Sequence, residues 1–310
     1  MQHSFSRILL PIDTSFQSEV ATETALTISK LFSSKITVMH VVPNQIPTLP
    51  NRIYVSRDSF APISTATGQF PRTLIVPEPK EYLIPDEVVN EATASYVENG
   101  EDLLSETAAL FAKEGINAEQ KLEKQNDIAD TIIEETISGN YDCVIIGNSG
   151  NEEDESDLHL GSVAARVSTS NLTNIMVTRK KPDLKSILLA VDGTEKDERA
   201  IENTYVLAKA TKSKVVLLTV QEKSLSRFGP KIGDFGLQIL KRATNMLPEI
   251  EVDQKLMFGD PASLIIDIAK QAEVDLIILS RGGHGRFRSL LGSVSDHVLR
   301  HATVTVLIVK

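Results

Sequence analysis

The sequence predicts an α/β protein made of two tandem, doubly wound domains, each with a five-stranded parallel sheet. Three observations predict it. One block of residues occurs twice, each copy alternates β-branched apolar runs with helical patterning, and 310 residues is the length of two ordinary domains. Strands covered by helices on both faces read as nearly continuous apolar runs, as these do. The β-α-β-α order implies right-handed crossovers, and ligands in such sheets bind beyond the carboxyl ends of the strands, where the strand order reverses.

The repeat is explicit. Arg7-Ile8-Leu9-Leu10-Pro11-Ile12-Asp13-Thr14 matches Ser186-Ile187-Leu188-Leu189-Ala190-Val191-Asp192-Gly193 at an offset of 179, which also pairs Lys30 with Lys209, Ser34-Lys35 with Ser213-Lys214 and Val41 with Val220. Asp127 with Asp260, Ala129 with Ala262, Ile132-Ile133 with Ile265-Ile266 and Asp142 with Asp275 align at 133, so the first copy carries 46 additional residues in between. Gly161-Ser162-Val163 matches Gly292-Ser293-Val294 at 131. The expected domains are residues 1–181 and 183–310, joined by the polar linker Arg179-Lys180-Lys181-Pro182-Asp183.

In the second copy the expected strands are Ser186–Val191, Lys214–Val220, about Glu251–Phe258, Asp275–Ser280 and Val304–Val309. A helix over Glu195–Ala210 would bury Ala200, Tyr205, Leu207 and Ala208. Asp260 followed by Pro261 reads as a cap and a first helical turn, and Ser289–His301 reads as the closing helix. The surplus of the first copy falls in roughly residues 43–97, which hold eight of the thirteen prolines. That density precludes a regular helix or central strand. The stretch is expected as a long excursion from the carboxyl end of the second strand, either a surface embellishment or a lid or partner-binding loop.

The formal net charge of −10 argues against non-specific binding to nucleic acid or an anionic membrane, since either polyanion would be repelled. The charge is unequal: residues 1–182 sum to −12 and residues 183–310 to +2, so an anion site is expected in the second half. Cys143 is the single cysteine and lies in the apolar run Asp142-Cys143-Val144-Ile145-Ile146, which suits a core position in a reducing compartment. Pro11 and Asp13 interrupt the N-terminal apolar run too early for a signal peptide, and no run approaches 18 apolar residues. A soluble cytoplasmic protein is the expectation. His297 and His301 are four residues apart but have no accompanying ligand cluster, so no metal site is expected.

The residues that carry chemistry are an apolar strand ending in Asp13, a second strand containing Val41, then Gly147-Asn148-Ser149-Gly150 followed by Gly161-Ser162. Glycines let backbone N–H groups approach a phosphate, and a helix start adds its positive dipole end. This constellation resembles the universal stress protein family, whose nucleotide-binding members carry Gly-x-x-Gly, nine residues, then Gly-Ser or Gly-Thr. The resemblance extends over both copies. It implies two Rossmann-like (adenine nucleotide α-hydrolase-like) domains packed as an internal pseudo-dimer through their fifth strands, Asn174–Arg179 and Val304–Val309, whose edges would otherwise be open. It also implies ATP or AMP as ligand, with or without Mg. In the first copy Asp13 and Val41 would meet adenine and ribose, and Gly147, Gly150, Gly161 and Ser162 would hold ribose and phosphates. In the second copy the corresponding residues are Asp192, Val220, Gly282 or Gly283, Gly292 and Ser293.

Both copies depart from the pattern. Ten residues separate Gly150 from Gly161, and they include Glu152-Glu153-Asp154-Glu155 and Asp157, carboxylates that would oppose a phosphate. The second copy lacks one glycine but offers Arg281-Gly282-Gly283-His284-Gly285-Arg286-Phe287-Arg288. Arginine binds phosphate bidentately. On electrostatics the second copy is therefore the expected nucleotide site, with Arg281 as a phosphate ligand. A plainer role is open to Asp13 and Asp192, which could cap the following helix, with Thr14 or Thr194 nearby, and to Ser162 and Ser293 as helix-start residues. No Gly-x-Ser-x-Gly elbow or P-loop lysine occurs. The expected function is a nucleotide-binding stress-response regulator without turnover. The alternative is an adaptor with degenerate pockets that binds a protein partner through the Pro-rich insertion. A homodimer of pseudo-dimers is compatible with either.

Overall fold

The computed structural model describes residues 5–42, 52–54, 81–83, 86–125, 127–149, 160–170, 172–181, 183–221, 231–282 and 291–310. The first copy runs β1 (Arg7–Pro11), α1 (Phe16–Phe32), β2 (Lys35–Val42), β3 (Arg52–Tyr54), β4 (Glu81–Leu83), α2 (Asp86–Lys113), β5 (Ala118–Lys124), α3 (Ile128–Ser138), β6 (Cys143–Gly147), α4 (Ser162–Thr169) and β7 (Asn174–Thr178). The second runs β8 (Ser186–Ala190), α5 (Asp197–Thr211), β9 (Lys214–Gln221), α6 (Lys231–Asn245), β10 (Val252–Phe258), α7 (Pro261–Gln271), β11 (Leu276–Ser280), α8 (Ser293–His301) and β12 (Thr305–Val309).

Twin signals in the sequence start equivalent elements. The Asp127 carboxylate accepts from the Asp130 N–H and caps α3, as Asp260 accepts from Ser263 and caps α7. Asp142 and Asp275 accept backbone N–H groups at the starts of β1 and β8. The continuous apolar strands produce one ten-stranded sheet in the order β10-β9-β8-β11-β12-β7-β6-β1-β2-β5. Every neighbouring pair in it is parallel except β7 and β12, which run antiparallel with Ile175, Met176 and Val177 opposite Ile308, Leu307 and Val306. The fifth strands thus close each other's edges, as the resemblance implies, and the two copies share one sheet. The outer edges, β5 and β10, carry Glu119, Lys121 and Glu123 and Asp253 and Lys255, charges that discourage further strand addition.

Helices cover both faces. The core with α1, α2, α5 and α6 is built on Leu10, Ile28, Phe111, Leu189, Leu207 and Leu240, and the core with α3, α4, α7 and α8 on Val144, Ile132, Ala164, Ile265 and Val298. Cys143 is fully buried and free.

Three expectations are corrected. Residues 86–97 are helical, since α2 begins at Asp86 directly after Pro85; a proline just outside a helix start removes no intrahelical hydrogen bond. The short strands β3 and β4 also lie in the Pro-rich stretch and pair antiparallel with each other, apart from the main sheet. The closing helix starts at Ser293 rather than Ser289, with Gly292 as its cap residue; residues 289 and 290 lie outside the described residues. Tyr205 is only half-buried.

Candidate functional site

At the carboxyl ends of β1 and β2 the first copy opens a cleft of about 450 Å³, within the range of small-molecule sites. Its walls include Asp13 from the β1–α1 turn, Ser18 from the first turn of α1, Val41 from β2, Gly147 at the end of β6 and Ser149 after it, and Gly161 and Ser162 at the start of α4. Ile12, Ile128, Ile132 and Ile146 supply an apolar floor. Five of the residues singled out by sequence, Asp13, Val41, Gly147, Gly161 and Ser162, therefore meet around one cavity. Gly150 and the acidic run 152–157 lie outside the described residues.

Local chemistry explains each placement. Asp13 Oδ1 accepts from the Ser15 N–H at 3.0 Å, from the Ser15 hydroxyl, and from Ser18 Oγ at 2.6 Å, so the carboxylate locks the turn into α1. The cap of α1 is Ser15 and not Asp13, which corrects the helix-cap expectation: Asp13 braces the turn before the cap and also lines the cleft. Gly147 is glycine because a Cβ there would sit 2.9 Å from the Gln17 backbone, which lets α1 approach β6. Gly161 donates to the Asn148 carbonyl at 2.7 Å and precedes α4, whose first turn has no side-chain cap; Ser162, Val163 and Ala164 of that turn line the cleft. An uncapped helix start at a cavity wall suits an anionic group. His40, missed by sequence reasoning, also lines the cleft, with Nδ1 2.8 Å from the Ile12 carbonyl. The signal available was a single polar residue in the otherwise apolar run Val38-Met39-His40-Val41-Val42, next to Val41.

The second copy repeats the frame but differs in charge. Asp192 lies just past the end of β8, Val220 is next to last in the adjoining β9, and Gly282, Gly292 and Ser293 meet beyond β11. Gly292 must lack a side chain, since a Cβ would lie 2.3 Å from the Gly282 carbonyl oxygen. Gly283 and residues 284–288 lie outside the described residues. Asp192 Oδ1 accepts from the Thr194 N–H at 2.9 Å, again a turn-forming role.

Arg281, expected as a phosphate ligand, has its guanidinium engaged by the other copy instead. Only 6% exposed, it donates to the Ser168 carbonyl at 3.0 Å and the Thr169 carbonyl at 2.5 Å, at the carboxyl end of α4 in the other copy. Cations are favoured there by the helix dipole and by orphan carbonyls. Arg179, 5% exposed, makes the reciprocal contact to the Leu299 carbonyl of α8, and burial pulls its pKa down to about 10. Each arginine crosses the β7–β12 junction to hold the opposite copy's helix.

Asp197 is the other residue that sequence reasoning missed. It is 4% exposed at the start of α5, and Oδ2 accepts from the Asp192 and Gly193 N–H groups at 2.9 and 2.7 Å while Oδ1 accepts from Ser280 Oγ at 3.2 Å. Burial first, and the nearby Asp192 carboxylate second, push its pKa up to about 6. A smaller cavity of about 160 Å³ lies beside it between α5 and α6, on the opposite face of the sheet from the first copy's cleft. His297 and His301 stack with ring centroids 4.2 Å apart.

Fold and cleft together define a class: two-copy, doubly wound α/β proteins with a cleft at the switch in strand order. Comparison with known proteins narrows it. Residues 184–310 match the model of the universal stress protein family. A Staphylococcus aureus relative bearing that family's name is 30% identical over 139 residues, which are 41% of this chain and 84% of the relative. A universal stress protein of Synechocystis is 23% identical over 197 residues, 62% of this chain, and the chain spans 66% of that relative's length. Among solved structures, a universal stress protein from Archaeoglobus fulgidus has the same fold, with a TM-score of 0.66 and 21% identity over 99% of this chain and 97% of that one. The chain belongs to the universal stress protein family.

Proposed function

We propose that the chain is an adenine-nucleotide-binding regulator of a stress response, and that the first copy's cleft is its nucleotide site. The observation that carries this is the convergence of Asp13, Val41, Gly147, Gly161 and Ser162 on one cavity of about 450 Å³. An apolar floor of isoleucines suits a purine face, and the start of α4 suits the phosphate end. The site is moved away from the second copy because the Arg281 guanidinium donates to α4 and a buried carboxylate, Asp197, stands beside Ser280 at the end of β11. Magnesium would enter with the nucleotide; among the described residues no three His, Cys, Asp or Glu side chains gather to hold an ion of their own.

Binding without turnover is the expected behaviour, since Asp13 is engaged in its turn and no described histidine or cysteine lines the cleft beside a nucleophile in a base–nucleophile pair. Two measurements test the reading. Thermal unfolding should shift upward with AMP or ATP, and Ile128→Trp, which fills the cleft from a partly exposed position, should abolish the shift. Absence of any shift in the unmodified protein would favour the adaptor. Sustained ATP hydrolysis above about 1 per second would overturn the non-catalytic part.

A further inference from the structure

Arg166 is not a wall of the first copy's cleft but stands beside it. It lies one turn after Ser162 on α4, and a long helical side chain leans back over the preceding turn, here toward the helix start that walls the cleft. Its guanidinium crosses to α3. Nη1 donates to Asp127 Oδ1 at 3.0 Å and Oδ2 at 2.7 Å, and Nη2 donates to Asp130 Oδ1. Asp127 caps α3, and the next residue, Ile128, lines the cleft. Both helices begin beyond the carboxyl ends of the strands before them, so the guanidinium is held at the cleft's mouth between two helix starts. The side chain is half-exposed, and among the described residues Nε–H and the second Nη2 hydrogen meet no acceptor, which leaves donors for a further anion.

We propose that Arg166 reads the phosphate chain of the nucleotide in the first copy's cleft, so that the site takes a nucleoside di- or triphosphate in preference to a monophosphate. The inference rests on the reading that this cleft takes an adenine nucleotide. With the base on the isoleucine floor, a first phosphate sits at the start of α4, and the next lies toward Arg166, the one cation of that helix. Asp127 and Asp130 temper the attraction, since each competes with a phosphate oxygen for the same guanidinium. A purely structural tie would be needed wherever these helices pack, and it is not. At the offsets of the repeat the second copy keeps Asp260 for Asp127 but has His297 for Arg166 and Ser263 for Asp130, and α7 still packs against α8.

Isothermal titration of the full chain with AMP and with ATP, in magnesium-free buffer of fixed ionic strength, tests this. The unmodified protein should bind ATP about tenfold more tightly than AMP. Arg166→Met should remove that excess and leave AMP affinity within about twofold, and Arg166→Lys should recover only part of it, since an ammonium lacks the fork. Asp130→Asn removes one competitor and should strengthen ATP binding about threefold without changing AMP, which keeps the test open if Arg166→Met fails to fold. Equal affinities for the two nucleotides in the unmodified protein, or equal losses for both in Arg166→Met, would overturn the role of Arg166 while leaving the cleft's nucleotide reading standing. Binding of neither nucleotide would overturn that reading and the inference with it.

Discussion

The guanidinium of Arg281, a residue of the second copy, donates to the Ser168 carbonyl of the first at 3.0 Å, and its burial lowers its pKa below the usual arginine value. The contact ties the end of β11 to the helix whose far end walls the other copy's cleft. Arg281→Met should cost roughly 2–4 kcal/mol, because the α4 carbonyls lose charged donors in a buried setting. Arg281→Lys should recover only part, since an ammonium lacks the fork that spans two carbonyls. Urea unfolding checks both. A phosphate-binding role would instead show lost nucleotide affinity at unchanged stability.

Asp197 makes stability pH-dependent. Its folded pKa of about 6 lies above the ordinary 3.8, so its contribution is fully present below about pH 4 and is lost as pH rises through 6. Asp197→Ser keeps an acceptor for the Asp192 N–H, as Ser18 does for Asp13, and should flatten the fall in melting temperature between pH 4.5 and 7. At pH 7.5 the variant should melt higher by roughly 3–8 °C. A curve parallel to the unmodified protein's would remove Asp197 as the cause.

Gly292 and Gly282 should respond differently to alanine. A Cβ at 292 collides with the Gly282 carbonyl, whereas one at 282 meets only Ser295 Oγ at 3.7 Å. Gly292→Ala is expected to cost about 2 kcal/mol or more, and Gly282→Ala less than about 1. Comparable losses in denaturant midpoint would contradict the close approach.

Cys143 should be inert in the folded protein. Complete burial raises its thiol pKa well above the usual range, so neither thiolate nor access is available to a thiol reagent. Titration with such a reagent at pH 7.5 should label it only after denaturation, and rapid labelling of the native protein would show that β6 opens.

The frame was legible because it rests on local signals and repetition. Asp127 and Asp260 cap equivalent helices, the strands ending near Val191 and Ser280 fall within a residue of their expected ends, and the match of Gly161-Ser162 with Gly292-Ser293 marks two helix starts. What misled was treating charge as if it acted from its place in the chain. A loop bearing Arg281 looks like an anion site in one dimension. In three dimensions the guanidinium finds orphan helix carbonyls across the junction of β7 and β12.

By itself, then, the sequence determined the doubly wound class, the duplication and the set of residues at the strand ends, since apolar periodicity, caps and glycine spacing act over a few residues. Tertiary structure alone decided that the β7–β12 pairing is antiparallel, that Arg179 and Arg281 reach helix ends across it, and that Asp197 is buried beside Asp192. Those outcomes depend on which groups lose water together, and burial of that kind is set by the packing of segments far apart in the chain.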